Sequence, residues 1–118
     1  HKEAGRVVAR TASGSVPPVP ALADAGELGA RVVAVGRLDV GSEGLLLLTD
    51  HGRLAQRLAH PAAALEREYR VRVRGSLDPA AVPQLAAGLR VGAQRYGPLQ
   101  VRVERAAGGH TWLRVVLR

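Results

Sequence analysis

Apolar residues form short runs along this chain, and two of these runs, at residues 31–35 and 45–49, flank a polar turn bounded by glycines. Each run is too short for a typical helix, so the pattern predicts two buried strands. The turn between them carries Asp39, two residues after Arg37. Polar residues in such a turn are expected at the rim of a core, on a rigid base from which a charged group can face a substrate.

The remaining pattern predicts an α+β fold with a mixed, mainly antiparallel sheet and a few helices, because strands and helices follow one another without a regular βαβ order. Further strands are predicted at 6–10, 69–74, 99–105 and 111–118, and helices at 21–28, 52–60 and 78–89. Residues 11–20 are rich in Ser, Gly and Pro and indicate a loop, and Gly108-Gly109 indicates an antiparallel hairpin. The length indicates one domain over residues 1–118.

Residues 69–74 alternate between apolar and basic side chains, as in a strand with two different faces. One face would carry Tyr69, Val71 and Val73, and the other Arg70, Arg72 and Arg74. Two interpretations remain open. The arginines either keep a half-buried edge strand soluble or follow a phosphate backbone.

The net charge of the chain narrows the classes of binding partner. Lys and Arg number 17 against 10 Asp and Glu, a net charge of +7. Arg pairs with phosphates through two hydrogen bonds and stacks on bases, so this balance favours RNA over a membrane. A general bias toward Arg, Ala, Gly and Val would explain the number of arginines but not their placement.

Composition excludes several chemistries. The chain has no Cys, which excludes disulfides, thiolate catalysis and zinc–thiolate sites, and fits a cytoplasmic location. No apolar stretch reaches the roughly 20 residues of a membrane span. The four histidines lack the spacing of a metal-ligand set, and the sequence offers no evident site for an organic cofactor, so neither a metal nor a cofactor is predicted.

An Asp in a glycine-rich turn usually serves the turn itself, through hydrogen bonds to nearby amides. The residues around Asp39 indicate more than a turn. They resemble the signature of the RsuA/RluB-type pseudouridine synthases in four stretches: Gly36-Arg37-Leu38-Asp39, Ser42-Glu43-Gly44, the Leu run and Thr49-Asp50-His51-Gly52. The resemblance implies that Asp39 is the catalytic nucleophile and that the fold is that of a pseudouridine synthase catalytic core.

Three further residues are candidates for substrate binding. Residues 65–71 resemble a second family motif, which implies that Tyr69 stacks on the target uracil; a core tyrosine is the alternative. Arg37 could pair with Asp39 or lie free on the surface, and the resemblance favours contact with RNA. Lys2 and Gly5 resemble a Lys-Pro-x-Gly motif with Glu3 in place of the proline, which makes Lys2 an RNA-contact candidate. The other two aromatic residues are expected to serve packing: Tyr96 and Trp112.

These observations predict an enzyme that isomerises a specific uridine of ribosomal RNA, with the large-subunit branch of the family favoured. A flipped-out nucleotide would meet Asp39, with no metal or cofactor. The alternatives are a non-catalytic RNA-binding module and a basic ribosome-associated protein. The resemblance also implies a partial catalytic domain, without the S4-type domain and the C-terminal Arg-rich motif of full-length relatives. A monomer is expected.

Overall fold

The computed structural model describes residues 1–27 and 31–117. They form two compact units, from His1 to Ala63 and from Ala64 to Arg118, which are described separately. Helices and antiparallel sheets occur together, which confirms the predicted α+β class. The single domain over residues 1–118 stays a prediction.

The first unit holds the hairpin that carries the Asp39 turn. Its elements are helix α1 (Pro20–Glu27), strands β1 (Val33–Val35) and β2 (Leu47–Thr49), helix α2 (Gly52–Ala59) and a 3-10 turn (Pro61–Ala63). The two strands pair antiparallel, with Val33 opposite Thr49. The strands predicted at 31–35 and 45–49 and the helices predicted at 21–28 and 52–60 are therefore confirmed, with position 28 of the predicted first helix outside the described residues.

The hairpin strands are less buried than the apolar runs predicted. Leu45 is 77% exposed and Leu47 48%. A strand with a continuous apolar run is normally buried on both faces. Within this unit, α2 is the helix that packs against both strands. The buried apolar side chains lie elsewhere, on the segment leading into α1, on α1 itself and on α2: Val19, Leu22, Ala25 and Ala55.

The strand predicted at residues 6–10 was wrong. Val7 forms only an isolated parallel bridge with Pro18. Its amide donates to the carbonyl of Pro17 at 3.0 Å, and its carbonyl accepts from Val19 at 3.0 Å. A longer ladder would need the amide of Ala9 to donate to the carbonyl of Val19. The amide of Ala9 instead donates to Val7 at 3.0 Å, and the carbonyl of Val19 accepts from Leu22 of α1 at 3.0 Å. On the other side, Pro17 has no N–H to donate.

The second unit is built on a three-stranded antiparallel sheet in the order β3-β7-β6. Its elements are β3 (Arg67–Arg74), α3 (Ala81–Ala87), β4 (Leu89–Val91), β5 (Gln94–Tyr96), β6 (Gln100–Ala107) and β7 (His110–Leu117). The predicted hairpin at Gly108-Gly109 joins β6 to β7 and is confirmed. The predicted third helix is also confirmed but begins three residues after Asp78, whose Oδ1 accepts a hydrogen bond from the amide of Ala80.

The β4–β5 hairpin was missed because its strands have three residues each, too few for an alternation to stand out. Gly88 leads into it with a φ of +91°. A Cβ at this position would lie 2.8 Å from the carbonyl oxygen of Tyr96. Glycine is therefore required here both by backbone conformation and by space.

The three-stranded sheet has two chemically different faces. The register pairs Tyr69 with Val115 and Val71 with Leu113 on one face, here called the apolar face.

The register of β6 shifts between Val103 and Arg105, which is a β-bulge at Glu104. A bulge adds one residue to a strand, so two successive side chains can point to the same side.

Candidate active site

The loop that carries Asp39 begins at a backbone conformation that favours glycine. Gly36 follows β1 with a φ of +77°, a region that costs residues with a Cβ about 1 kcal/mol or more. The amide of Ser42 donates to the carbonyl of Asp39 at 3.0 Å, which closes a tight turn over residues 39–42. The nucleophile candidate therefore lies at the first position of an ordered turn.

The start of the chain runs along this loop and pairs with it. Lys2 and Gly44 exchange both backbone hydrogen bonds, at 2.7 and 3.0 Å, and the amide of Gly5 donates to the carbonyl of Val40 at 2.7 Å. These bonds join segments about 40 residues apart. The loop is thus held by main-chain pairing as well as by its own turn.

Lys2 adds a third restraint through its side chain. It is 1% exposed, and its Nζ donates to the carbonyls of Ser42 at 2.7 Å, Asp39 at 3.0 Å, Glu3 at 3.0 Å and Val40 at 3.4 Å. Hydrogen bonds from an ionised donor are about twice as strong as neutral ones. The ammonium group therefore clamps the main chain of the Asp39 turn.

Lys2 is also the only lysine in the chain. A compact ammonium with three rotatable donors suits carbonyls that converge on one point, whereas the planar fork of Arg suits two parallel acceptors. The predicted RNA contact by Lys2 is corrected by this geometry. Its charge is buried and its donors are engaged, so it positions Asp39 instead of meeting phosphate.

The side chains of Asp39 and Arg37 face solvent. Within residues 1–27 and 31–117, neither makes a side-chain hydrogen bond or an ion pair, so the pairing considered between them is not formed. A carboxylate that is free at its oxygens but fixed through its main chain can act as a nucleophile, because no partner has to be displaced first.

Tyr69 belongs to the other unit. It lies on the apolar face of β3, opposite Val115, and is 39% exposed. Its ring is therefore available on one side, as stacking on a base requires. The structure brings Lys2 and the main chain of Asp39 together within the first unit. The roles of Asp39 and Tyr69 toward one target nucleotide stay predictions.

The other aromatic residues differ from the packing role predicted for them. Tyr96 is 47% exposed on the short β5 strand. Trp112 is half-buried, and the guanidinium carbon of Arg70 lies 4.7 Å from the centre of its ring. The alternating arginines of residues 69–74 were the one signal for this contact, since they share a strand face. Among the described residues, no group of three or more His, Cys, Asp or Glu side chains could hold a metal ion.

The fold and this loop can be compared with known proteins. The family model described as RNA pseudouridylate synthase matches residues 1–116. The chain belongs to the RNA pseudouridylate synthase family. The resemblance predicted from the Asp39 motif is therefore confirmed.

Two relatives of this chain have the same name in different bacteria. The chain is 46% identical over 92 residues to ribosomal large subunit pseudouridine synthase B of Yersinia pestis, covering 75% of this chain and 28% of the relative. It is 45% identical over 92 residues to the protein of that name from Escherichia coli K12, covering 75% of this chain and 31% of the relative. The chain thus spans less than a third of the length of these relatives.

A solved structure agrees on the fold. It is the crystal structure of a pseudouridylate synthase and superposes with a TM-score of 0.65 at 24% identity, covering 97% of this chain and 48% of that one. Within the described part of the chain, the helices are all too short or too polar to cross a membrane.

Proposed function

We propose that the protein isomerises a specific uridine of large-subunit ribosomal RNA to pseudouridine, with Asp39 as the nucleophile. Membership of the family and the names of the relatives support the reaction and the substrate class. The observation that carries the assignment is the exposed, unpaired carboxylate of Asp39 on a main chain that Lys2 clamps.

The reaction moves one bond within a single nucleotide. The C1′–N1 bond breaks with its electron pair leaving on the uracil, and a carboxylate oxygen of Asp39 bonds to C1′. The ring then turns, its C5 bonds to C1′, and the carboxylate leaves. C5 loses its proton and N1 gains one. Atoms and oxidation states balance, so the step requires neither an oxidant nor a reductant.

The nucleotide must leave its helix before C1′ can meet a carboxylate, and this extrusion costs a few kcal/mol. We assign Tyr69 to the exposed face of the flipped uracil and Arg37 to a neighbouring phosphate. A half-exposed aromatic ring and an unpaired guanidinium group support these two roles. Action in the cytoplasm as a monomer completes the proposal.

The test adds the whole protein to ribosomal RNA from a strain lacking its gene and maps pseudouridine at nucleotide resolution. Asp39→Asn should lower the rate at the modified position more than about a thousandfold. RNA affinity should persist, and the free energy of unfolding should change by less than about 0.5 kcal/mol, because the side chain is exposed and unpaired. Asp24→Asn, the same change on the exposed side of α1, is the matched control and should be fully active.

An active Asp39→Asn variant would refute the assigned nucleophile. RNA binding without pseudouridine in the wild type would favour the non-catalytic RNA-binding module instead.

A further inference from the structure

The second face of the β3-β7-β6 sheet carries a dense set of positive charges. We call it the arginine face and define it by the residues that share it, one tryptophan and six arginines: Trp112, Arg70, Arg72, Arg74, Arg102, Arg105 and Arg114. The bulge at Glu104 contributes to this set, because it lets Glu104 and Arg105 point to the same side. Glu104 reaches Arg114 at 3.3 Å, and the guanidinium carbon of Arg105 lies 6.0 Å from the centre of the Trp112 ring.

Two carboxylates neutralise part of this charge. Glu104 pairs with Arg70 at 2.7 Å and with Arg114 at 3.3 Å, and Glu68 pairs with Arg114 at 3.4 Å. Hydrogen bonding to Arg70, followed by that to Arg114, holds the pKa of Glu104 below its ordinary value. Six arginines against two glutamates still leave an excess of four positive charges.

The remaining arginines have no acidic partner. In the described residues, no carboxylate lies within ion-pair distance of these four exposed side chains: Arg72, Arg74, Arg102 and Arg105. Two of them flank the tryptophan, with the guanidinium carbons of Arg72 and Arg105 each 6.0 Å from the centre of its ring. Like charges gathered around one ring without counter-ions favour an external polyanion.

We propose that the arginine face is a second RNA-binding surface, which holds the phosphate backbone with Arg72 and Arg105 beside Trp112. The ligand is RNA backbone, because every cation in the set is an Arg, which pairs with phosphates bidentately, and because the central ring offers a stacking surface. The proposal rests on the proposed function only in taking ribosomal RNA as the bound molecule.

This surface differs from the one assigned to the target uracil. Side chains alternate along β3, so Tyr69 and Arg70 lie on opposite faces of the same sheet. RNA on the arginine face is therefore a different part of the substrate from the nucleotide at Tyr69. Such a surface contributes affinity without taking part in the chemical step.

The test compares two double variants of the full-length protein. Arg72→Gln/Arg105→Gln removes two charges from the arginine face, and Arg90→Gln/Arg95→Gln removes two exposed charges from the β4–β5 hairpin as the matched control. The dissociation constant for transcribed large-subunit ribosomal RNA is measured across a salt series. Each lost phosphate contact should reduce the slope of log K against log salt by about 0.7–0.9, so the first variant should lose about 1.4–1.8.

At about 0.1 M salt the arginine-face variant should bind roughly tenfold more weakly, whereas the control should stay within about twofold. Arg72→Lys/Arg105→Lys should keep the wild-type slope, because it keeps the charges. Equal losses in the two Gln variants, or an unchanged slope in the first, would overturn the proposal. So would a Lys variant that loses as much slope as the Gln variant.

Fluorescence gives a second, local readout, because Trp112 is the only tryptophan of the chain. RNA should change the emission of the wild type, and the change attributable to this ring should be missing in Trp112→Phe. Quenching by phosphatidylglycerol vesicles or by polyglutamate, but not by RNA, would identify another partner and overturn the proposal.

The outcome is separable from that of the proposed function. Arg72→Gln/Arg105→Gln should raise KM roughly tenfold with kcat unchanged, since saturating RNA compensates for lost affinity. Asp39→Asn should keep the wild-type salt slope. An active Asp39→Asn variant would refute the catalytic assignment. The proposal for the arginine face would still be decided by the salt slopes of the two Gln variants.

Discussion

Replacing Lys2 with methionine removes the clamp on the Asp39 turn while keeping a long, unbranched side chain in its place. Four carbonyl oxygens within 3.4 Å of the Nζ then lose their shared donor. No new bulk is introduced, so the change isolates the ammonium group. We expect a loss of stability together with a loss of activity.

The magnitude follows from two opposing terms. The three N–H groups of the ammonium make charge-assisted hydrogen bonds, each contributing about 1.5–3 kcal/mol. Against this, burying an ammonium costs several kcal/mol in lost hydration, and the variant no longer bears that cost. Some of the freed carbonyls lie in an exposed loop and can bind water instead. The expected net loss in free energy of unfolding is about 2–4 kcal/mol.

Urea unfolding measures the loss of stability, and single-turnover pseudouridine formation measures the loss of activity. The rate should fall, because the main chain of Asp39 is no longer held at 3.0 Å from a donor. Lys2→Arg should not restore it, since a planar guanidinium cannot direct three donors to converging carbonyls. Arg53→Met, an exposed position on α2, is the control and should change stability by less than about 0.5 kcal/mol. A Lys2→Met protein with wild-type stability and rate would refute the clamp.

Two further predictions concern the second unit. Tyr69→Ala should weaken RNA binding by about 1–3 kcal/mol, measured by filter binding, while Tyr69→Phe keeps the affinity, because stacking uses the ring and not the hydroxyl; equal affinities for both variants would contradict the stacking role. Glu104→Gln should destabilise the protein at neutral pH, because Arg70 lowers the pKa of Glu104 from its ordinary 4.5. A lowered carboxyl pKa stabilises the fold above the ordinary value and ceases to do so as pH falls through the lowered one. The urea midpoints of wild type and variant should therefore converge in acid, and a gap that is constant with pH would count against these ion pairs.

Local patterns predicted most of the strands and helices, because their signals lie within a few residues. The alternation at residues 69–74 anticipated β3, and Gly108-Gly109 anticipated the β6–β7 hairpin. Predictions from local pattern failed where the formation of a strand depends on the segment it pairs with. Residues 6–10 look like a strand on their own, but the amide of Ala9 turns back onto Val7 and the carbonyl of Val19 is taken by α1, so the single bridge is not extended.

In the candidate site too, features that lie within a few residues could be predicted, and those that depend on distant contacts could not. Asp39 stands out in the sequence because its motif is contiguous, and the structure adds how it is held. The role of Lys2 could not be predicted, since three of its four acceptors are 37 to 40 residues away along the chain. For Trp112 the alternating arginines of residues 69–74 were the one signal, and the contact itself could not be predicted, because its arginine neighbours come from two other strands.

The bulge in β6 has a consequence for how the sheet could change over generations. Deleting the single codon of Glu104 would restore plain alternation, with Val103 and Arg105 keeping the sides they already occupy. The same deletion would release Arg70 and Arg114 from their shared carboxylate. One in-frame mutational step can therefore make this surface more positive without turning the strand over.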